Sequence, residues 1–286
     1  MTLQIKEFFD IDTAAFTYVI SDSQTKKSAI IDPVMNYDQY SGVVSYKSAD
    51  NIIKYSQENN LIIEWILETH IHADHLTAAK YLKEKFDAKI GVGSNIIDVL
   101  NYWIPFFNLE NEMGGQNTEF DRFFEDGDVL KLGNLEVKIL HTPGHTPACV
   151  SYLIDDAVFV GDTLFMPDVG TARADFPGGN PATLYNSIQR ILSLPGNTRI
   201  LVCHDYFPNS REAEFISTVS EQNEKNILIN KTVTLEEFIK IRSKRDKNLS
   251  VPKLLYPSLQ VNLRAGDLGK PSANGKRFIK IPVTIA

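Results

Sequence analysis

The chain has 286 residues, 43% of them hydrophobic and 23% charged, with a formal net charge of −7, so it is long and apolar enough for one large core or two modest ones and is not of the disordered class. The acidic balance excludes a surface built for nucleic acid, which needs a basic excess or stripe. Two cysteines, Cys149 and Cys203, are too few for a disulfide framework and fit a reducing compartment.

The opening "MTLQIKEFFDIDT" has no basic stretch followed by an apolar one, and no apolar run approaches the roughly 20 residues that span a bilayer. A cytoplasmic protein with no membrane partner is expected. In chain order, "FTYVISD" and "KSAIIDPV" are β-branched runs on either side of a polar turn and predict a first hairpin. "SADNIIKYSQENN" predicts a helix capped by Ser48 or Asp50, and "IIEWILET" a strand that runs into "HIHADH". "LTAAKYLKEKF" then places helix formers at helical spacing, so the histidine run lies between a strand end and a helix start, where α/β folds place chemistry. The segment 95–120 carries Trp103, Phe106 and Phe107 and reads as a core helix or an oligomer contact in preference to a lid. "VLKLGNLEVKIL" and "CVSYLIDDAVFVGD" alternate around Gly133-Asn134 and Asp155-Asp156 and predict two consecutive hairpins. "NPATLYNSIQRIL" predicts a helix with proline near its first turn, "TRILVCHDY" a strand that again ends on a histidine, and "TVTLEEFIKIRS" a helix opened by the capping-box pair Thr234 and Glu237. Proline and glycine crowd the tail from Leu249, and no repeat of solenoid length is seen.

Residues of one chemical kind recur at these strand ends. His70, His72, Asp74 and His75 follow the first strand, His141 and His145 stand in "HTPGHT", Asp162 in "VGDTLF" and His204 in "CHDY", which places all six histidines. Imidazole and carboxylate suit zinc, iron and manganese, and ligands drawn from several strand ends have stiff backbone support. The H-x-H-x-D-H run offers ligands of alternating direction to two adjacent metal positions but cannot complete a site alone. His141, beside a turn-forming Thr-Pro-Gly, reads as a shaper of its loop. Asp32, at the end of "IIDP", reads as a hydrogen-bonding partner of neighbouring loop backbone, the histidine loop included. Strand alternation would turn Cys149 and Cys203 away from the ligands beside them and make both buried structural cysteines.

"THIHADH", "HTPGHT", "GDTLF" and "CHDY", in this order and with hairpins between them, resemble the metallo-β-lactamase superfamily over about residues 10–210. The resemblance implies an α/β (α+β) fold, the αββα sandwich of two mixed sheets flanked by helices, with a metal site at one edge. We expect a single domain over 1–286, with 211–286 a C-terminal extension packed on it. In dinuclear members His70, His72 and His145 would hold one metal and Asp74, His75 and His204 the other, with Asp162 bridging.

Two branches share nearly all these residues. The stretch "GTARADF" is similar to the G-x-G-R-x-D-F of persulfide dioxygenases, whereas glyoxalase II sequences have Phe-Glu-Gly there and His-Glu-Tyr where this chain has "HDY". "LLYPSLQVNLRAG" and "GKRFIKIPV" resemble the bacterial β-lactamase-hydrolase-like branch and extend the match nearly end to end; "VGTAR" departs from the family's Cys-Gly-Arg. The resemblance implies one Fe(II) per chain, with Zn or Mn as substitutes, held by His70, His145 and Asp162, and with His72, Asp74, His75 and His204 around it or holding a second metal. It implies oxidation of glutathione persulfide by O2 and water to sulfite and glutathione, in sulfide detoxification. Arg173 would clamp a substrate carboxylate and Tyr206 reach the bound ligand, unless Arg173 pairs internally with Asp175 or Asp168. A homo-oligomer, dimer or tetramer, is expected. The alternative is a Zn-dependent glyoxalase II-like hydrolase of acylglutathione thioesters.

Overall fold

In the computed structural model, residues 2–113, 119–208 and 211–285 are described. β-branched and aromatic residues concentrated near the N-terminus build the first sheet: β1 (Leu3–Asp10), β2 (Ala15–Asp22) and β3 (Lys27–Ile31) as an antiparallel meander, continued in parallel by β6 (Ile62–Leu67), β8 (Lys89–Gly93) and β9 (Arg122–Phe124). The hairpin expected at 16–34 is present as β2 and β3. It is preceded by β1, which pairs with all of β2 from Leu3↔Asp22 to Asp10↔Ala15. β1 is half-buried along most of its length, so its sequence lacks the in-out alternation that marks a strand.

The second sheet runs β10 (Val129–Leu132), β11 (Leu135–His141), β12 (Val150–Ile154), β13 (Ala157–Phe159), β14 (Arg199–Leu201) and β15 (Ile216–Thr218), with only β13 and β14 parallel. Both hairpins expected here are present and turn at Gly133-Asn134 and Asp155-Asp156. A small third sheet joins β4 (Val34–Asp38) to β5 (Val43–Ser45) and β7 (Leu76–Thr77).

The two large sheets face each other across Phe16, Tyr18, Ile20, Leu67, Phe124, Val137, Ile139 and Tyr152. On the outer face of the first sheet lie α1 (Lys47–Glu58), α2 (Ala79–Phe86), α3 (Ile96–Phe106) and α8 (Leu255–Asn262); α5 (Pro181–Leu192) and α7 (Leu235–Asp246) cover the second. The order of layers is helix, sheet, sheet, helix, the sandwich expected from sequence. α1 starts at Lys47 behind Tyr46 and has no side-chain cap: Ser48 and Asp50, the expected caps, lie inside its first turn, where Ser48 bonds Asn36 and Asp10. α5 is capped by Asn180 and α7 by the Thr234–Glu237 box. α3 buries Ile96, Val99, Leu100 and Trp103 and leaves Ile97, Tyr102 and Phe106 exposed, while 114–118 of the same segment lie outside the described residues. No helix among the described residues is long and apolar enough to cross a membrane.

Candidate metal centre

Every candidate ligand lies just beyond the end of a strand, on one edge of the sandwich. His70, His72, Asp74 and His75 follow β6, His145 stands between β11 and β12, Asp162 follows β13 and His204 follows β14. The side chains are buried, except that of Asp74, which is a quarter exposed. Gly144 of "HTPGHT" sits at φ 135°, and a Cβ there would fall 2.3 Å from the backbone of Leu184. Only glycine lets this loop press against α5 and carry His145 inward.

The ligand atoms fall into two sets. His70, His145 and Asp162 form one, with Asp162 Oδ2 3.9 Å from His70 Nε2 and 3.7 Å from His145 Nε2. His72, Asp74, His75 and His204 form the other, with His204 Nε2 3.3 Å from Asp74 Oδ2 and His75 Nδ1 3.3 Å from Asp74 Oδ1. The second oxygen of Asp162 lies 3.7 Å from His204 Nε2, so one carboxylate faces both sets.

Hydrogen bonds outside the sets fix which ring nitrogens face inward. His145 donates from Nδ1 to the Arg173 carbonyl at 2.8 Å, which leaves Nε2 as the lone-pair nitrogen. Thr69 donates its hydroxyl proton to Asp32 Oδ2 at 2.8 Å and therefore accepts from His70 Nδ1 at 3.0 Å, again leaving Nε2 free. His72 Nε2 meets Asp32 Oδ1 at 3.1 Å and Glu68 Oε2 at 3.3 Å, so its Nδ1 is the nitrogen turned to the second set. Asp32 thus bonds the histidine loop as the sequence suggested, from a backbone held at φ 50°.

Burial and neighbouring charges shift the ligands in both sets. Burial, reinforced by His72 and His145, pushes His70 well below the usual imidazole range, and burial with His72 takes His75 to about 4. Burial raises the Asp162 carboxyl; for Asp74 burial is outweighed by His204 and His75, which hold it below its ordinary value.

A cation fits both sets. His70 Nε2, His72 Nδ1, Asp74 Oδ1, both nitrogens of His75 and of His204, and Asp162 Oδ1 are buried without a hydrogen-bond partner. Each such atom costs about 1–3 kcal/mol, a concentration that a fold tolerates where an ion takes up the lone pairs.

A cavity of about 1070 Å³ opens onto His145, Asp162 and Asp74. Arg173 lines it, but its guanidinium is held by both oxygens of Asp175 at 2.6 and 2.8 Å and by the Ser250 carbonyl, and lies over the Phe176 ring. Asp168 is taken by Arg211. Tyr206 also lines the cavity, half exposed, its ring parallel to that of His204 at 5.8 Å. β14 stops at Leu201, so strand alternation does not extend to the residues beyond it: Cys203 does not turn away as expected, and its sulfur lies within 4.8 Å of ligand atoms of Asp162 and His204. Cys149 is buried with Thr146 bonded to its sulfur, and burial pushes its thiol up to about 12. His141, the last residue of β11, bonds the Phe124 carbonyl at the end of β9. Glu68, Thr69 and Asn262 were not singled out from sequence; the only signal for them is a polar residue set in an apolar stretch.

The Metallo-beta-lactamase superfamily model matches residues 11–204. Glyoxylase B2 of Dictyostelium discoideum is 49% identical over 282 residues, which cover 98% of this chain and 97% of that protein. Persulfide dioxygenase ETHE1, mitochondrial, of Bos taurus is 28% identical over 94% of this chain and 91% of that one. The crystal structure of ETHE1 from Myxococcus xanthus matches with a TM-score of 0.75 and 29% identity, over 92% of this chain and 100% of that one.

Proposed function

Since the chain belongs to the metallo-beta-lactamase superfamily, we propose that it is a persulfide dioxygenase with one Fe(II) held by His70, His145 and Asp162. The observation that carries this reading is the division of the ligands: two imidazoles and one carboxylate stand as a set of three, while the free nitrogen of His72 goes with the other set. Fe(II) held by these three residues would supply the redox chemistry toward O2 that d10 zinc lacks. The relatives named persulfide dioxygenase and ETHE1 support the same choice.

In this reading the substrate is glutathione persulfide. Its S–S bond breaks and the persulfide as a whole loses the four electrons that O2 gains; both O2 oxygens and one water oxygen end on the outer sulfur as sulfite, glutathione leaves with a proton on sulfur, and two protons are released. The residues of the chain bind and orient. Arg245 and Lys253 line the cavity with no ion pair among the described residues, so they meet the two carboxylates of glutathione. Arg173, already paired to Asp175, acts through its carbonyl, which orients His145, and its side chain holds the wall at Ser250. Phe165 and Phe176 exclude water from the metal side of the cavity, and Tyr206, which lines the same cavity, donates a hydrogen bond to the substrate. The chain acts as one unit over 1–286, because the 211–286 extension brings Arg245 and Lys253 to the cavity.

A second reading, a Zn-dependent hydrolase of acylglutathione thioesters, is favoured by the second ligand set facing Asp162 Oδ1 and by the relative named Glyoxylase B2. Protein loaded with Fe(II) in one portion and Zn(II) in another separates the two. Sulfite from glutathione persulfide in the iron portion alone supports the dioxygenase; thioester cleavage by the zinc portion, with no sulfite from either, overturns it.

A further inference from the structure

The loop between β6 and β7 carries four candidate ligands, and residues 70–75 belong to no strand or helix, so a ladder holds it only at its ends, the far one by the two-residue pairing of β7 with β4. Asp32 fastens the start of this loop through Thr69. Between these ends the loop is tied by a side chain 190 residues away from His72: Asn262, the last residue of α8, donates from Nδ2 to the carbonyls of His72 and His75, both at 2.8 Å, and accepts the Thr77 amide on Oδ1, also at 2.8 Å. Asn262 is only 1% exposed, and both its amide protons are used. The turn after α8 seats against the same region. Lys80 donates its amide to the Ala265 carbonyl at 2.9 Å, and Gly266 lies so close that a Cβ would fall 2.6 Å from the Thr77 oxygen.

We propose that Asn262 is a positioning residue of the metal centre. By holding the His72 and His75 carbonyls and the Thr77 amide in one frame, it sets the spacing at which Asp74 and His75 meet His204, so metal affinity depends on the last residue of α8. An asparagine suits this place because one carboxamide donates twice and accepts once; a hydrophobic residue would leave two buried carbonyls and an amide without partners. The proposal rests on the reading of this loop as a metal site. Residues that hold ligands from outside change metal affinity by about 10–100-fold when removed.

The test uses the full chain and Zn(II) alone as probe. Zinc affinity is measured by chelator competition, beside the rise in melting temperature at fixed Zn(II), for the wild type, Asn262→Leu and Asn262→Asp. The aspartate keeps the acceptor for Thr77 and loses both donors. Asn226→Leu is the control, since Asn226 is equally buried, ties Gly170 to Leu228 and Ile229, and bonds none of the candidate ligands. The expected result is a fall in zinc affinity of about tenfold or more for both Asn262 variants, with a smaller zinc-dependent rise in melting temperature. Asn226→Leu is expected to melt lower without zinc and to bind zinc as the wild type does. Wild-type affinity in the Asn262 variants, or an equal loss in Asn226→Leu, overturns the proposal. If Asn262→Leu does not fold, Asn262→Asp decides by the same outcomes. A wild type that binds no zinc refutes the metal site itself.

Discussion

Asp32 grips Thr69 twice, accepting the amide on Oδ1 at 2.7 Å and the hydroxyl on Oδ2 at 2.8 Å. The second bond uses the proton of the Thr69 hydroxyl, which therefore accepts from His70 and fixes the tautomer with Nε2 facing Asp162. Asp32→Ala removes both bonds, and the Thr69 hydroxyl that accepts from His70 is then no longer held in that role. Metal affinity is expected to fall by about tenfold or more, read by chelator competition. Unchanged affinity would show that the His70 tautomer is set elsewhere.

Asp162 faces both ligand sets with different oxygens. Asp162→Ala is expected to abolish activity under either enzymatic reading and to lower bound metal below one ion per chain on elemental analysis. Activity that survived would refute the assignment of the site.

Arg245 and Lys253 are read as the carboxylate-binding positions of the cavity, and Arg173 is not, because Asp175 already neutralises it. Arg245→Glu and Lys253→Glu are each expected to raise KM by about tenfold with kcat nearly unchanged, the pattern of lost uniform binding. The effect should weaken at high salt. Steady-state rates at two ionic strengths check this, and a fall in kcat alone would place these residues outside substrate binding.

Asp205 follows His204, is fully buried, and is held by the Arg211 guanidinium and the amides of Phe207 and Glu214. Arg211→Met leaves that carboxylate without its cation and is expected to cost about 3 kcal/mol in a urea unfolding experiment. A loss within the scatter of surface substitutions would show that the amides alone suffice.

The histidine run, the "HTPGHT" loop, the two hairpins and the two capped helices were legible because each is a local pattern: alternation, turn chemistry or capping. Asp32 was legible as a strand-end carboxylate next to a loop. Of the features that were not, three have a plain physical cause. β1 has no alternation because both its faces are half-buried. The end of β14 at Leu201 removed the alternation on which the expectation for Cys203 depended. Asn262 works through contacts 190 residues away from His72, and the proline and glycine around it hid α8 altogether. Local patterns mark where ligands leave the strands, while the groups that hold them in place come from distant chain.

The most direct measurement is O2 uptake by protein loaded anaerobically with Fe(II) and mixed with glutathione persulfide, with sulfite assayed in the same vessel and a zinc-loaded portion beside it. The expected result is one O2 consumed per sulfite formed, in the iron portion only. No uptake by protein shown to carry iron, with thioester hydrolysis by the zinc portion, would contradict the dioxygenase assignment.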